Sequence, residues 1–142
     1  MKNIKLFLLI IILFCCITFW NSCEQGDSKL IIVNNSNDTV FFITTGERKF
    51  QYSPIQYSED GNIEWRYTNY LVPHSNQVTS ILGQWESSVN DGKDSSLYVF
   101  FFKKNLIYNT PKDSLIKYQK YTIMYKYKIT DLQKLNWRVV YR

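Results

Sequence analysis

Leu97-Tyr98-Val99-Phe100-Phe101-Phe102 is an unbroken apolar run between Ser95-Ser96 and Lys103-Lys104, and it constrains the fold more than any other segment. The run is strand-length rather than helix-length, and its aromatic and β-branched side chains suit a pleated surface. It is expected to be a central strand. Composition points the same way: Tyr, Phe and Trp make up 17% of the chain, while alanine, the best helix former, is absent.

Further strands follow from local pattern. Leu30-Ile31-Ile32-Val33 and Thr39 to Thr44 read as two strands around a hairpin loop, Asn34-Asn35-Ser36-Asn37-Asp38, whose side chains bond their own backbone. Residues 45–62, punctuated by Gly46, Pro54, Gly61 and Asn62, read as a long surface loop. Ile63, Trp65 and Tyr67 alternate with Glu64, Arg66 and Thr68, so Ile63 to Val72 reads as a strand; Pro73-His74-Ser75-Asn76 breaks it and Gln77 to Leu82 resumes. Glu86 to Ser96 reads as a second polar loop with a turn at Asn90-Asp91-Gly92. From Tyr121 to Ile129 the odd positions are apolar or aromatic, and Lys126 and Lys128 fall on the other face, the pattern of a half-buried strand. Trp137 to Tyr141 closes the chain as a strand.

Two helices are expected late in the chain. Thr110 as N-cap, Pro111 at the first helical position and Asp113 in the first turn start one that ends near Gln119. Thr130-Asp131-Leu132-Gln133 fits a capping box, with Asn136 ending the helix. The expected fold is mainly β, a small antiparallel β-sandwich with two short helices in the C-terminal third, α+β being the alternative.

The N-terminus has a different character. Met1-Lys2-Asn3-Ile4-Lys5 is basic, Leu6 to Trp20 is almost wholly apolar, and Asn21, Ser22 and Cys23 close it. As a helix those 15 residues would reach about 22 Å, short of a bilayer core of about 30 Å. A basic start, an apolar centre and a small residue before a cysteine make an export signal. The stretch resembles a bacterial lipoprotein signal, which implies cleavage before Cys23 and lipidation of that residue; an uncleaved signal-anchor is the rival reading. Trp20 and Asn21 depart from the enterobacterial pattern, and Ser22-Cys23 is more similar to the looser Bacteroidota form. The expected organisation is a signal peptide at 1–22, a tether at 23–29 and one β-rich domain at 30–142. Because Cys15, Cys16 and Cys23 are the only cysteines, the exported domain would hold no internal disulfide and no thiolate chemistry, and would stand on its hydrophobic core.

No catalytic motif fixes a chemistry. His74 is the single histidine, so neither a zinc site nor a Ser-His-acid arrangement has its usual partners, and no glycine-flanked serine elbow is present. Glu64 and Glu86, close to Trp65 and Trp85, are the carboxylate pair that a glycosidase would need, but each fits the polar half of a strand. Trp65 and Trp85 are also candidate stacking platforms for a sugar ring, against the alternative that they are core. No enzyme, cofactor or metal is therefore expected. Lys103 to Arg142 carries a net charge of +8, whereas residues 23–102 carry −5. The basic third could face an anionic partner, or Lys103, Lys104, Lys126 and Lys128 could guard exposed strands against edge pairing. Nucleic acid is not an expected partner of an exported chain.

Leu30 to Ile43, Ile81-Leu82-Gly83-Gln84-Trp85-Glu86, Tyr98 to Phe102 and Thr130 to Trp137 together resemble a group of small Bacteroidota lipoproteins of uncharacterised function. The resemblance implies a lipid-anchored protein of the outer membrane, in contact with the membrane through its N-terminal lipid and with an unknown envelope protein or glycan. It also implies O-glycosylation at an Asp followed by Ser or Thr and an aliphatic residue, which makes Thr39 and Ser114 candidate sites. The expected function is a non-enzymatic accessory or protein-interaction domain that uses its sheet surface. A carbohydrate-binding module and a periplasmic immunity or inhibitor protein are the alternatives.

Overall fold

The apolar runs pair into two sheets in the computed structural model, which describes residues 26–56, 58–59 and 68–142. Strand β1 spans Gly26–Asn34, β2 Val40–Thr45, β3 Tyr70–Leu71, β4 Ser75–Leu82, β5 Leu97–Lys103, β6 Ile123–Tyr127 and β7 Arg138–Tyr141. One sheet has the order β4-β1-β7 and the other β3-β2-β5-β6. The architecture is the expected mainly β sandwich, with one departure from an antiparallel fold: β7 lies parallel to β1, with Ile31 opposite Arg138 and Asn34 opposite Tyr141. Strand β1 begins at Gly26, so Gly26 to Lys29, expected as tether, are already strand. The segment expected as a signal, Cys23, Glu64 and Trp65 lie outside the described residues, as does the first half of the strand expected from Ile63 to Val72.

Strand β5 shows why its sequence has no polar alternation. Leu97, Val99 and Phe101 point into a core between the two sheets, where they meet Leu30 and Ile32 of β1, Val40 and Phe42 of β2, and Val139 and Tyr141 of β7. Tyr98, Phe100 and Phe102 point the other way, into a second cluster with Phe41, Ile43, Phe50, Ile55, Ile107 and Leu115. The four-stranded sheet is thus covered on both faces, and a strand buried on both faces must be apolar at every position. The stretch after Thr45, expected as a surface loop, supplies part of that cover: Phe50 and Ile55 are each 1% exposed. Phe50 packs edge-on against Phe100 and Phe102, with centroids 5.2 and 5.3 Å away.

Four helices occur among the described residues: α1 (Trp85–Asn90), α2 (Lys104–Tyr108), α3 (Lys112–Lys117) and α4 (Ile129–Lys134). Helix α1 occupies part of the expected polar loop. Its N-terminus is capped from a distance, because Asp27 Oδ2 accepts the Trp85 backbone N–H at 3.0 Å. The two expected helices, α3 and α4, are present with shifted starts. Pro111, not Thr110, is the residue before α3. Lys128, not Thr130, is the residue before α4, and its backbone N–H donates to Asp131 Oδ2 at 3.0 Å, so Asp131 makes the reciprocal half of a capping box that starts two residues earlier than the box expected from Thr130 to Gln133.

Candidate functional site: an end cleft and an open sheet face

Register gathers three chain connections at one end of the sandwich. Asn34 lies opposite Ser75, and Val40 lies opposite both Leu71 and Lys103. The β1–β2 loop, the β3–β4 turn and the β5–α2 junction therefore meet. Between them lies a cleft of about 560 Å³ lined by Asn37, Asp38 and Thr39 from the first, Pro73 from the second, and Lys103, Lys104, Asn105 and Tyr108 from the third. An adjoining hollow of about 360 Å³ shares Thr39, Lys104 and Tyr108 and adds Phe41, Tyr70 and Val72. Volumes of this size fall in the range of small-ligand sites.

Polar bonds hold the walls. Asn34 is fully buried, and its Nδ2 donates to the carbonyls of Asp38 (2.7 Å), Leu71 (3.2 Å) and Val72 (3.0 Å). Its Oδ1 accepts the Ser36 backbone N–H at 3.0 Å and the Ser36 hydroxyl at 2.7 Å. One amide thus ties the β1–β2 loop to the β3–β4 turn; that loop was expected to close a hairpin, but β1 and β2 belong to different sheets and it crosses between them instead. His74, in the left-handed region at φ 54°, adds a second tie through Nε2 to Asn37 Oδ1 at 2.9 Å. Lys103 Nζ reaches Asp38 Oδ2 at 3.1 Å, and this bond to Asp38 raises the Lys103 pKa above its ordinary value.

The polar groups around the cleft have these partners. The single histidine is bonded to an amide, not to a hydroxyl or a carboxylate that would activate or orient it for base catalysis. A hard cation needs several oxygen ligands, and the carboxylate that lines the cleft, Asp38, is engaged by Lys103. What remains is a set of amides, hydroxyls and two ammonium groups beside the half-exposed ring of Tyr108, with Lys104 Nζ 5.6 Å from the ring centroid.

A second surface is the outward face of the three-stranded sheet. Ile31 pairs with Val78, and Val33 lies between Asn76 and Val140, so these side chains share the face turned away from the core. Val78 is 50% exposed, and Ile31 and Val140 are partly exposed. Ser80, Asn76 and Arg138 surround them as a polar margin.

The residues singled out in the sequence fall in different places. Trp85 is 2% exposed and packs in the core between the sheets, so it presents no face to a sugar. Its companion Trp65 lies outside the described residues. Glu86 is bound by Lys29 at 2.5 Å, at the end of the sandwich opposite the cleft. Thr39 is half-buried and lines the cleft, and Ser114 is half-buried within α3. Of the four lysines expected to guard edges, Lys126 alone lies on an edge strand, β6, where Asp94 binds it at 2.6 Å. Lys103 sits on an interior strand, Lys104 opens α2 and Lys128 precedes α4. Tyr108, Lys104 and Asn105 as cleft residues had no sequence signal beyond their polarity, because only strand register brings them to Thr39. No family model, curated protein or solved structure matches the chain.

Proposed function

We propose that this protein is a lipid-anchored lipoprotein of the bacterial outer membrane, held at Cys23, whose β domain is a non-enzymatic accessory that docks a protein partner on its open sheet face. The observation that carries this reading is the unequal cover of the two sheets. One sheet is buried on both faces, while the other turns Ile31, Val78 and Val140 outward inside a polar margin. Exposed aliphatic side chains grouped on one face and rimmed by polar ones have the composition of a docking patch. The apolar segment ahead of Ser22-Cys23 supports the anchor.

The test is a crosslinking pulldown from intact cells, comparing the wild-type chain with Cys23→Ala and Val78→Asp. One protein captured stoichiometrically, lost with Val78→Asp and displaced from the membrane fraction with Cys23→Ala, supports the reading. Capture of the same protein by Val78→Asp sinks the docking face.

The cleft favours a second reading, as a carbohydrate-binding module. Tyr108 offers a half-exposed ring beside amide and hydroxyl groups, the combination by which sugars are held through stacking and hydrogen bonds. Glycan-array binding that Tyr108→Ala abolishes and Val78→Asp leaves intact would select it.

A further inference from the structure

We infer that the end of the sandwich opposite the cleft rests directly on the bilayer, with Leu82 entering the lipid interface. The inference rests on the anchor proposed above and adds to it the orientation of the domain and the residue in contact with lipid. Three features on the page carry it. The first is reach. Cys23 and Gly26 are three residues apart, and three extended residues span at most roughly 11 Å. Gly26 is the first residue of β1, so a lipid on Cys23 holds the start of that strand within this distance of the membrane surface.

The second feature is what lies beside Gly26. In the β1–β4 register Gly26 is opposite Leu82, and Leu82 is 80% exposed, more than any other large apolar side chain among the described residues. A leucine placed so openly at the end of a strand has no role in the core. Within 11 Å of a bilayer it has an apolar medium to enter, and interfacial apolar groups sink roughly 5–10 Å into the headgroup and acyl boundary. The third feature is Leu135. It ends α4, is 43% exposed, and follows a helix that packs against α1 at this same end. A second apolar side chain there would steady the tilt that a single point of contact leaves free.

The consequence for function is geometric. Strand β1 has nine residues, whose eight steps of roughly 3.3 Å make about 26 Å of strand, and the cleft lies past its far end. The cleft opens away from the membrane, and the open sheet face stands between cleft and bilayer.

The lipidated, processed protein is reconstituted in phosphatidylethanolamine–phosphatidylglycerol vesicles. Single-cysteine variants Leu82→Cys and Val72→Cys each carry an environment-sensitive NBD label. Cleavage would remove Cys15 and Cys16, and the lipid would block Cys23, so the label has one site. Val72 is 50% exposed and lies at the cleft end. Blue-shifted emission at position 82, quenched by nitroxide-labelled lipid, with water-like emission at position 72, is the expected result. Water-like emission at both positions, on protein whose Cys23 carries its lipid by mass spectrometry, overturns the inference and leaves the lipoprotein reading standing. An unmodified Cys23 on protein isolated from its native membrane removes the lipoprotein reading, and this inference with it. Leu82→Asp gives an independent check, since it should retain the wild-type melting temperature and lose nitroxide contact at a label on position 135.

Discussion

Asp27 and Trp85 meet at the start of α1, where a carboxylate oxygen from the first strand accepts the Trp85 backbone N–H at 3.0 Å across 58 residues of sequence. Lys29 completes the junction: it binds Asp27 at 2.8 Å and Glu86 at 2.5 Å, with its ammonium 4.5 Å from the centre of the Trp137 ring. The first strand, the helix after β4 and the residue before β7 are thereby joined at one corner. Negative charge at a helix N-terminus is favourable, and here it comes from the strand beneath the helix rather than from the residue before it. Gln84, the residue in the N-cap position, makes no side-chain cap of its own.

Asp27→Ala is therefore expected to lower stability by about 1 kcal/mol, the usual cost of losing an N-cap acceptor. In a domain of this size that corresponds to a fall in melting temperature of about 4 °C. Gln84→Ala is expected to have no comparable effect. Thermal denaturation of both variants decides the point, and equal losses would mean that the distant carboxylate is not the cap.

The same corner predicts a pH dependence. Burial alone would raise the Asp27 pKa, but bonds from Lys29 and from the Trp85 and Lys29 backbone N–H groups outweigh it and hold the carboxyl below its ordinary value. Burial alone would lower the Lys29 pKa, and the bonds to Asp27 and Glu86 carry it above its ordinary value. A carboxyl depressed in the folded state contributes stability above its unfolded pKa, about 3.9, and loses it as pH falls through the folded value. A raised lysine contributes fully below about 10.4 and loses its share as pH rises through the folded value. The difference in melting temperature between wild type and Asp27→Asn should be constant from about pH 5 to pH 9 and close below about pH 4. A gap that persisted undiminished at low pH would show that ionisation of Asp27 contributes nothing.

Asn34 makes the strongest prediction about the cleft scaffold. Its Nδ2 serves three backbone carbonyls and its Oδ1 serves two groups of Ser36, all from a fully buried position. Asn34→Ala strands those groups, and each buried polar group left unpaired costs about 1–3 kcal/mol, for a total loss of about 2–4 kcal/mol where solvent reaches some of them. Asn34→Asp is expected to be no better, since it would set a carboxylate against three carbonyl oxygens. Urea denaturation checks both, and a mild Asn34→Asp would mean that the donor side of this residue is dispensable.

Thr79 runs the opposite way. Its hydroxyl is buried with no hydrogen-bond partner, on the strand that pairs with β1. Thr79→Val keeps the β-branched shape that suits a strand and removes an unsatisfied polar atom, which is expected to stabilise the fold by about 1 kcal/mol. A lower melting temperature in the variant would reveal a partner for that hydroxyl.

How much of this could be read in the sequence depends on how local the cause is. The β5 run announced a central strand because burial on both faces leaves its mark on every consecutive residue. The alternation from Ile123 to Tyr127 announced β6 for the same reason at half strength. Helix α1 was missed because its apolar pair, Trp85 and Val89, is brief and its cap sits on another strand. The parallel pairing of β1 with β7 was not legible either, since nothing near Arg138 to Tyr141 encodes which distant strand will accept it. Trp85 was weighed as a sugar platform against a core position, which the apolar run before it already favoured, and the packing of the two sheets decides that it is interior. The cleft itself was not legible, because strand register assembles it from three separate connections: of its lining, Thr39 was singled out only for glycosylation, and Lys103 and Lys104 only as members of the basic third of the chain.

Those two lysines give a prediction that separates charge used for stability from charge used for binding. Lys103 and Asp38 form an ion pair with side chains 45% and 57% exposed, and solvent screens such pairs so well that they add little to folding. Lys104 is exposed beside Tyr108. Lys103→Ala and Lys104→Ala should each leave the melting temperature unchanged, whereas Tyr98→Phe, which removes a hydroxyl bonded to Asp94 from a side chain only 2% exposed, should lower it. If the cleft binds an anionic partner, the double substitution Lys103→Ala/Lys104→Ala weakens binding, and the salt dependence of the remaining affinity becomes shallower because fewer charges are engaged. Affinity and salt slope that both survive the double substitution would place the binding surface elsewhere and leave the open sheet face, with Val78 exposed on it, as the surface that meets the partner.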